Sequence, residues 1–289
     1  MSRIAYVNGR YVPHGDAAVH IEDRGYQFAD GVYEVCEVRS GAMIDERRHL
    51  DRLERSLSEL KIDMPMARRP LGAVLRETIR RNRVRDGLVY MQVTRGVARR
   101  DHAFPKPGTP PALVITARSV DPRRGETMAA KGVAVITRPD NRWERVDIKT
   151  VGLLPNCIAK QDARQAGAYE TLFVDEKGFV TEGSSTNAWI ITRDGALVTR
   201  PADFGILKGI TRTVVLELAA REGLKIEERA FTVAEALEAR EAFVTAASTI
   251  VMPVTSIDGK TVGNGAPGLV ATALRAKFHE VAEHAPLAL

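Results

Sequence analysis

Cysteine is scarce: Cys36 and Cys157 are the only two among 289 residues, and neither has a partner at metal-ligand spacing. That excludes a disulfide framework or a zinc-finger pattern and fits a reducing cytoplasm. No stretch approaches the ~18 apolar residues of a membrane-spanning helix. The N-terminus, Met-Ser-Arg-Ile-Ala-Tyr, lacks the apolar core of a signal peptide. A cytoplasmic protein with no membrane partner is expected. No Gly-x4-Gly-Lys-Ser/Thr loop and no Gly-x-Ser-x-Gly elbow occurs, so nucleotide and serine-hydrolase chemistry lose their usual evidence. The run Gly263 to Gly268 fits the dinucleotide expression but has no βαβ unit after it, and reads as a turn. His279 and His284 stand five apart, whereas two zinc ligands on one helical face need a spacing of four. They read as a helix face, and no metal site is expected. Lysine is also sparse, ten against 32 arginines. The net charge is +5, but the arginines are interleaved with glutamates rather than gathered into a tract, which argues against a nucleic-acid partner.

What is present is an ordinary folded composition, 44% hydrophobic and 27% charged, in a chain long enough for two modest domains. Ile4 to Val12 reads as a hairpin turned by Asn8-Gly9. The alternating stretch Val32 to Arg39 reads as a strand with Tyr33 and Glu34 on opposite faces. Leu50, Leu53, Leu57 and Leu60 predict an amphipathic helix over Glu46 to Leu60, with Arg52 beside the apolar stripe. A second helix runs from Pro70 to about Arg81. Strands over Val89 to Arg95 and Ala112 to Ala117 frame a polar loop, and the turn-rich 119–125 reads as an interdomain linker. This divides the chain into domains 1–118 and 126–289. The second half reads as a strand over Val133 to Arg138, a helix over Pro155 to Ala166, and strands over Glu170 to Val174 and Phe179 to Thr181. A hairpin at Asp194-Gly195, a helix over Arg212 to Arg221 with Thr211 as N-cap, a short helix capped by Thr232 and Glu235, a strand over Ala242 to Ala246, a hairpin at Asp258-Gly259 and a terminal helix from about Pro267 follow.

The unusual lysine is Lys149, set among apolar residues just ahead of a helix start. Burial disfavours an ammonium and frees the neutral amine as a nucleophile toward carbonyls, the requirement for a Schiff base. The stretch equally suits a lysine snorkelling to solvent. Glu182 opens a small polar cluster running to Asn187, which suits a ligand-binding loop or a plain turn. Ile210-Thr211 open a helix whose unpaired N–H groups could seat a phosphate, or simply be capped. The cluster Arg99 to His102 reads as solvated surface. Lys149, Glu182, the Ile210-Thr211 helix start and Arg52 together suit pyridoxal 5′-phosphate (PLP). That cofactor needs an amine for its aldehyde, an anion near its ring nitrogen and anchors for a dianionic phosphate.

With those residues in place the chain resembles the fold-type IV, or class IV, PLP-dependent aminotransferases, and within them is most similar to the D-amino acid aminotransferases. The matching stretches are Asp23 to Val35, His49 to Leu53, Val93 to His102, Trp143 to Thr150, Val180 to Asn187, Ile206 to Arg212 and Phe243 to Val254. The resemblance implies a mixed α/β fold with a small N-terminal domain and a larger C-terminal domain carrying a barrel-like sheet, working as a homodimer. It implies ping-pong transfer of an amino group from a D-amino acid to a 2-oxo acid. By position, Lys149 matches the Schiff-base lysine and proton shuttle, Glu182 the carboxylate on the ring nitrogen, and Arg52, Ile210 and Thr211 the phosphate anchors. Leu207 matches the apolar support beneath the ring, and Ser184 and Ser185 the loop that steadies it. Tyr33, with Arg100 and His102 donated by the partner subunit, matches the substrate-carboxylate trap, which an arginine fork suits. Those enzymes usually carry Ser-Thr-Thr where this chain has Ala246-Ala247-Ser248, leaving Ala247 a backbone N–H for the phosphate but no hydroxyl. A branched-chain L-aminotransferase gives no reason for Arg100 and His102. An aminodeoxychorismate lyase would need no 2-oxo acid acceptor, and an (R)-amine transaminase would accept substrates without a carboxylate.

Overall fold

The computed structural model describes residues 3–287. The chain is mixed α/β and divides into two compact units: one runs to Pro122 and adds 148–152 and the residues from Glu283, the other comprises 123–147 and 153–282.

The first unit is a seven-stranded sheet in the order His284–Pro286, Ala42–Ile44, Gly31–Arg39, Gly87–Thr94, Ala112–Ser119, Ile4–Val7, Arg10–Pro13, with every neighbouring pair antiparallel. The Asn8-Gly9 turn has positive φ at both residues, 45° and 92°, as a primed hairpin requires. Helices Glu46–Glu59 and Arg68–Arg81 press Leu50, Leu53, Leu57, Leu71, Leu75 and Ile79 onto one sheet face. The strand Gly31–Arg39 alternates as its sequence predicts: Val32, Cys36 and Val38 join that core, while Tyr33 and Val35 point to the other face. Burying one such leucine contributes roughly 1.5–3 kcal/mol, so the helices are held mainly by these stripes.

The second unit is built on a nine-stranded mixed sheet. Its order is Ile226–Glu228, Leu197–Thr199, Asn187–Ile191, Glu241–Ala246, Ile250–Ile257, Val133–Pro139, Glu170–Val174, Val180–Gly183, with Lys260–Thr261 paired to Ile250–Ile257. Val133–Pro139 and Glu170–Val174 are parallel, joined through the helix Leu154–Gln165 as parallel strands require. The same connection contains residues 148–152 of the first unit. No helix among the described residues is long and apolar enough to cross a membrane.

Several elements differ from expectation. Residues expected to form the linker are largely helical: Pro122–Lys131 is a helix begun by its proline, leaving only Val120 and Asp121 after the preceding strand. The glycine-punctuated stretch after Asp23 contains a five-residue helix, Arg24–Phe28, capped by the Asp23 side chain, which accepts from Gly25 N. The helix expected from Arg212 starts at Ile210, so Gly209 is the N-cap and Thr211 lies inside the first turn. His284 sits in a strand, not on the helix Leu269–Val281 that carries His279, because residues 284–286 find a strand partner in Ala42–Ile44. Ile250–Ile257, six of whose eight residues are buried, escapes notice because its apolar run Ile250 to Val254 shows no alternation.

Candidate active site

In the first unit, Lys149 belongs to a short extended segment laid against the start of Gly31–Arg39. Its carbonyl accepts from Tyr33 N at 3.0 Å, and Val151 N donates to Gly31 O at 3.0 Å. This pairing sets the lysine beside Tyr33, with Nζ 4.3 Å from the ring centroid. Lys149 is half-buried rather than enclosed, and among the described residues it has no carboxylate partner. Its nearest surroundings are aromatic: Tyr33 stacks on Tyr90 with centroids 5.7 Å apart, and Tyr90 donates to Gln92 Oε1 at 2.6 Å. Burial pushes the Tyr90 phenol up to about 12, so it remains a donor at neutral pH.

On the opposite face of the same strand, Glu34 is fully buried and takes Arg52 in a fork, 2.7 Å from Nε and 2.8 Å from Nη2. His49 Nδ1 stands 2.7 Å from the same carboxylate. Burial alone would push the Glu34 carboxyl up, but the Arg52 charge and the hydrogen bonds from Arg52 and His49 hold it far below the usual carboxylate range. Arg52, expected at a phosphate, is thus a guanidinium whose direction is set by a buried anion one face away from Tyr33. The alternation contained this signal: Glu34 is a charge in the apolar register of Val32, Cys36 and Val38.

Arg100 and His102 lie exposed on the long segment between the strands Gly87–Thr94 and Ala112–Ser119, both against the Phe28 ring. The arginine carbon is 4.8 Å from its centroid and the histidine ring 5.6 Å.

The second unit gathers a different set. Glu182, at the end of Val180–Gly183, is buried; one carboxylate oxygen receives Arg142 Nη1, and the other accepts from Asn187 Nδ2 at 3.0 Å and Leu207 N at 3.1 Å. Arg142 is fixed in turn by a fork to Asp140, 2.9 Å from Nε and 2.7 Å from Nη2. Asp140 also accepts from Thr181 Oγ1 at 2.7 Å. Burial would raise the Asp140 carboxyl, yet the Arg142 hydrogen bonds and charge keep it below its ordinary value. Neither Arg142 nor Asp140 carries a periodic or motif signal in the sequence; they are found only through their partners.

Asn187 links Glu182 to the helix start. Its Nδ2 also donates to Leu207 O at 2.9 Å, and a Cβ on Gly209 would stand 2.1 Å from Asn187 Oδ1. Glycine at the N-cap therefore lets the chain pass close to this amide, and no side chain caps the N–H groups of Ile210 and Thr211. Ser184 and Ser185 turn their hydroxyls to the fully buried Glu170, Ser185 Oγ at 2.9 Å. They fix the loop rather than present free hydroxyls. Ala247 begins the turn 247–249 between Glu241–Ala246 and Ile250–Ile257. That turn leads into Ile250 at φ 58°, a strained value for a β-branched residue. Arg275 Nη1 clamps both sides, donating to Thr249 O at 2.6 Å and Val251 O at 2.7 Å.

Comparison with known proteins matches this chain to the amino-transferase class IV family over residues 31–257. It is 43% identical over 261 residues to the D-alanine aminotransferase of Bacillus licheniformis, covering 90% of each chain. It is 39% identical over 275 residues to the D-alanine aminotransferase of Listeria innocua, covering 95% of this chain and 94% of that one. Among solved structures, a T.th. branched-chain amino acid aminotransferase with pyridoxamine 5′-phosphate superposes with a TM-score of 0.88 at 28% identity, over 97% of this chain and 94% of that one. The Escherichia coli branched-chain enzyme shares the fold at a TM-score of 0.89 and 23% identity, over 97% and 95%. With a family match over most of its length and relatives this similar, the chain belongs to the class IV aminotransferases, of fold type IV.

Proposed function

We propose that this aminotransferase uses PLP to move the amino group of a D-amino acid such as D-alanine to a 2-oxo acid such as 2-oxoglutarate. It would do so by a ping-pong mechanism, as a cytoplasmic homodimer. The observation that carries the reading is the Arg100–His102 pair gathered against the Phe28 ring, in a chain so similar to D-alanine aminotransferases. A carboxylate needs such a fork, and an amine substrate without one would not.

The chemistry of the donor set suits PLP. The uncapped helix start after Gly209, close against Asn187, offers backbone N–H groups and the positive end of a helix dipole to a phosphate. Glu182 is a buried carboxylate held by Arg142, Asn187 and the Leu207 N–H, an anion of the kind a protonated ring nitrogen needs. Lys149 is an amine without a carboxylate partner among the described residues. When bound, PLP supplies the aldehyde that takes up the amino group and the protonated ring that stores the electron pair released at the substrate Cα.

In this reading Lys149 Nζ is the nucleophile that holds the cofactor and then the base that carries the Cα proton. Glu182 would pair with the ring nitrogen, and Arg142, itself fixed by Asp140, aims the carboxylate. Arg52, Ile210, Thr211 and the Ala247 N–H would each supply a phosphate donor, Leu207 would support the ring, and Ser184 and Ser185 hold the neighbouring loop through Glu170. Tyr33, with Arg100 and His102 of the second subunit, takes the substrate carboxylate and so selects which face of Cα meets Lys149.

The test is the visible spectrum of the holoprotein with D-alanine and, separately, L-alanine, with no acceptor present. The yellow band should bleach with D-alanine alone. Bleaching with L-alanine alone would move the enzyme to an L-specific branch of the family.

A further inference from the structure

The helix Arg24–Phe28 has no part in the chemistry above, yet it holds the segment bearing Arg100 and His102 at several points. Arg24 is only 3% exposed. Its Nε pairs with Asp30 at 2.8 Å, and its Nη1 donates to the carbonyls of Asp101 at 2.7 Å and Ala103 at 3.3 Å. Those carbonyls flank His102, so one guanidinium pins the backbone of that histidine on both sides. One turn on, the Phe28 ring contacts both Arg100 and His102 and also receives Arg24, 4.7 Å from its centroid. The helix is itself locked to the sheet: Asp23 accepts from Thr94 Oγ1 at 2.9 Å, and a Cβ on Gly25 would meet Thr94 Cγ2 at 2.2 Å. A long exposed segment without strand or helix would otherwise have to be ordered at each binding event, at an entropic cost subtracted from affinity.

We infer that Arg24 and Phe28 are positioning residues for carboxylate recognition, setting the Arg100–His102 spacing before substrate arrives. The inference rests on the proposed role of Arg100 and His102. Neither residue touches the substrate; each acts through the pair it seats. Arg24→Lys keeps a cation for Asp30 but lacks the fork needed to reach two carbonyls as well. Phe28→Leu keeps apolar volume but loses the flat face for Arg100.

The experiment compares Arg24→Lys, Phe28→Leu, Arg100→Ala and the Arg24→Lys/Arg100→Ala double variant as holoenzymes, with D-alanine kinetics and the visible spectrum of the bound cofactor. Arg24→Lys and Phe28→Leu should each raise the D-alanine KM about tenfold with kcat within about twofold, and with the spectrum unchanged. The double variant should lose less than the product of the two single losses, because only His102 is left to position. A raised KM in Arg100→Ala beside an unchanged KM in Phe28→Leu and Arg24→Lys overturns the inference and leaves the carboxylate reading standing. Losses that multiply in the double variant also overturn it. An unchanged KM in Arg100→Ala overturns the carboxylate reading and the inference with it. Should Arg24→Lys fail to fold, Phe28→Leu decides by the same criterion.

Discussion

Glu34 in the first unit and Glu182 in the second are both buried and both partnered by arginine, but in opposite senses. Around Glu34 the carboxylate is the deeper member: it is fully enclosed, backed by His49, and serves to aim Arg52. Around Glu182 the order is reversed, with Asp140 holding Arg142 and Arg142 holding the carboxylate that is to act. In each case the group assigned a role in the proposed reading is held by a more enclosed partner of opposite charge, Arg52 by Glu34 and Glu182 by Arg142. A lone buried ion costs several kcal/mol, so a site that needs one charge must be built from alternating charges.

The largest break should come from Arg142→Leu. Two carboxylates, Asp140 and Glu182, then lose their shared cation, and unfolding by urea should show a loss of about 3–5 kcal/mol. Glu34→Gln should cost less, about 1–3 kcal/mol, since the amide still offers Arg52 an acceptor. If Glu34→Gln proves the more damaging, the cation shared by two carboxylates is not the costlier charge to remove.

The same pair gives a pH signature. The folded Glu34 carboxyl lies far below its ordinary value of 4.5, so its contribution is fully present above that value and is lost as pH falls below it toward the folded one. Between about pH 5 and pH 3 the parent should therefore lose Tm more steeply than Glu34→Gln. Equal slopes would mean that Glu34 is not the carboxylate that matters. Asp140, also depressed, should contribute in the same direction.

A comparable effect is expected where packing rather than charge sets the site. Gly209→Ala forces a Cβ onto Asn187 Oδ1 and should cost about 1–3 kcal/mol, with PLP released more readily on dilution. At the bottom of the scale, Glu77→Gln on the exposed face of Arg68–Arg81 breaks pairs to Arg80 and Arg81 at 2.7 Å. It should change stability by no more than about 1 kcal/mol. A Glu77 effect matching that of Glu34 would erase the distinction between buried and exposed pairs.

Much of this was legible beforehand. The leucine stripe of Glu46–Glu59, the Asn8-Gly9 hairpin and the alternation of Gly31–Arg39 all follow from local periodicity and turn chemistry. The ordered motifs around Lys149, Glu182 and Arg100 were enough to recognise the family. Local signals misled where competing cues overlapped. Asp121-Pro122 begins a helix as readily as a turn, and Gly125 made the turn look more convincing. Thr211 is a good capping residue by type, but the close approach to Asn187 makes Gly209 the cap.

What the sequence determined by itself was which side chains were available and which face of each strand and helix they occupy, because those depend on neighbours two to four positions away. Only the tertiary structure decided which charge meets which. Glu34 finds Arg52 18 residues on, Arg142 finds Glu182 40 residues on, and Arg24 reaches a carbonyl 77 residues away. Ion pairs and buried hydrogen bonds depend on distance and dielectric, and neither is a function of position along the chain.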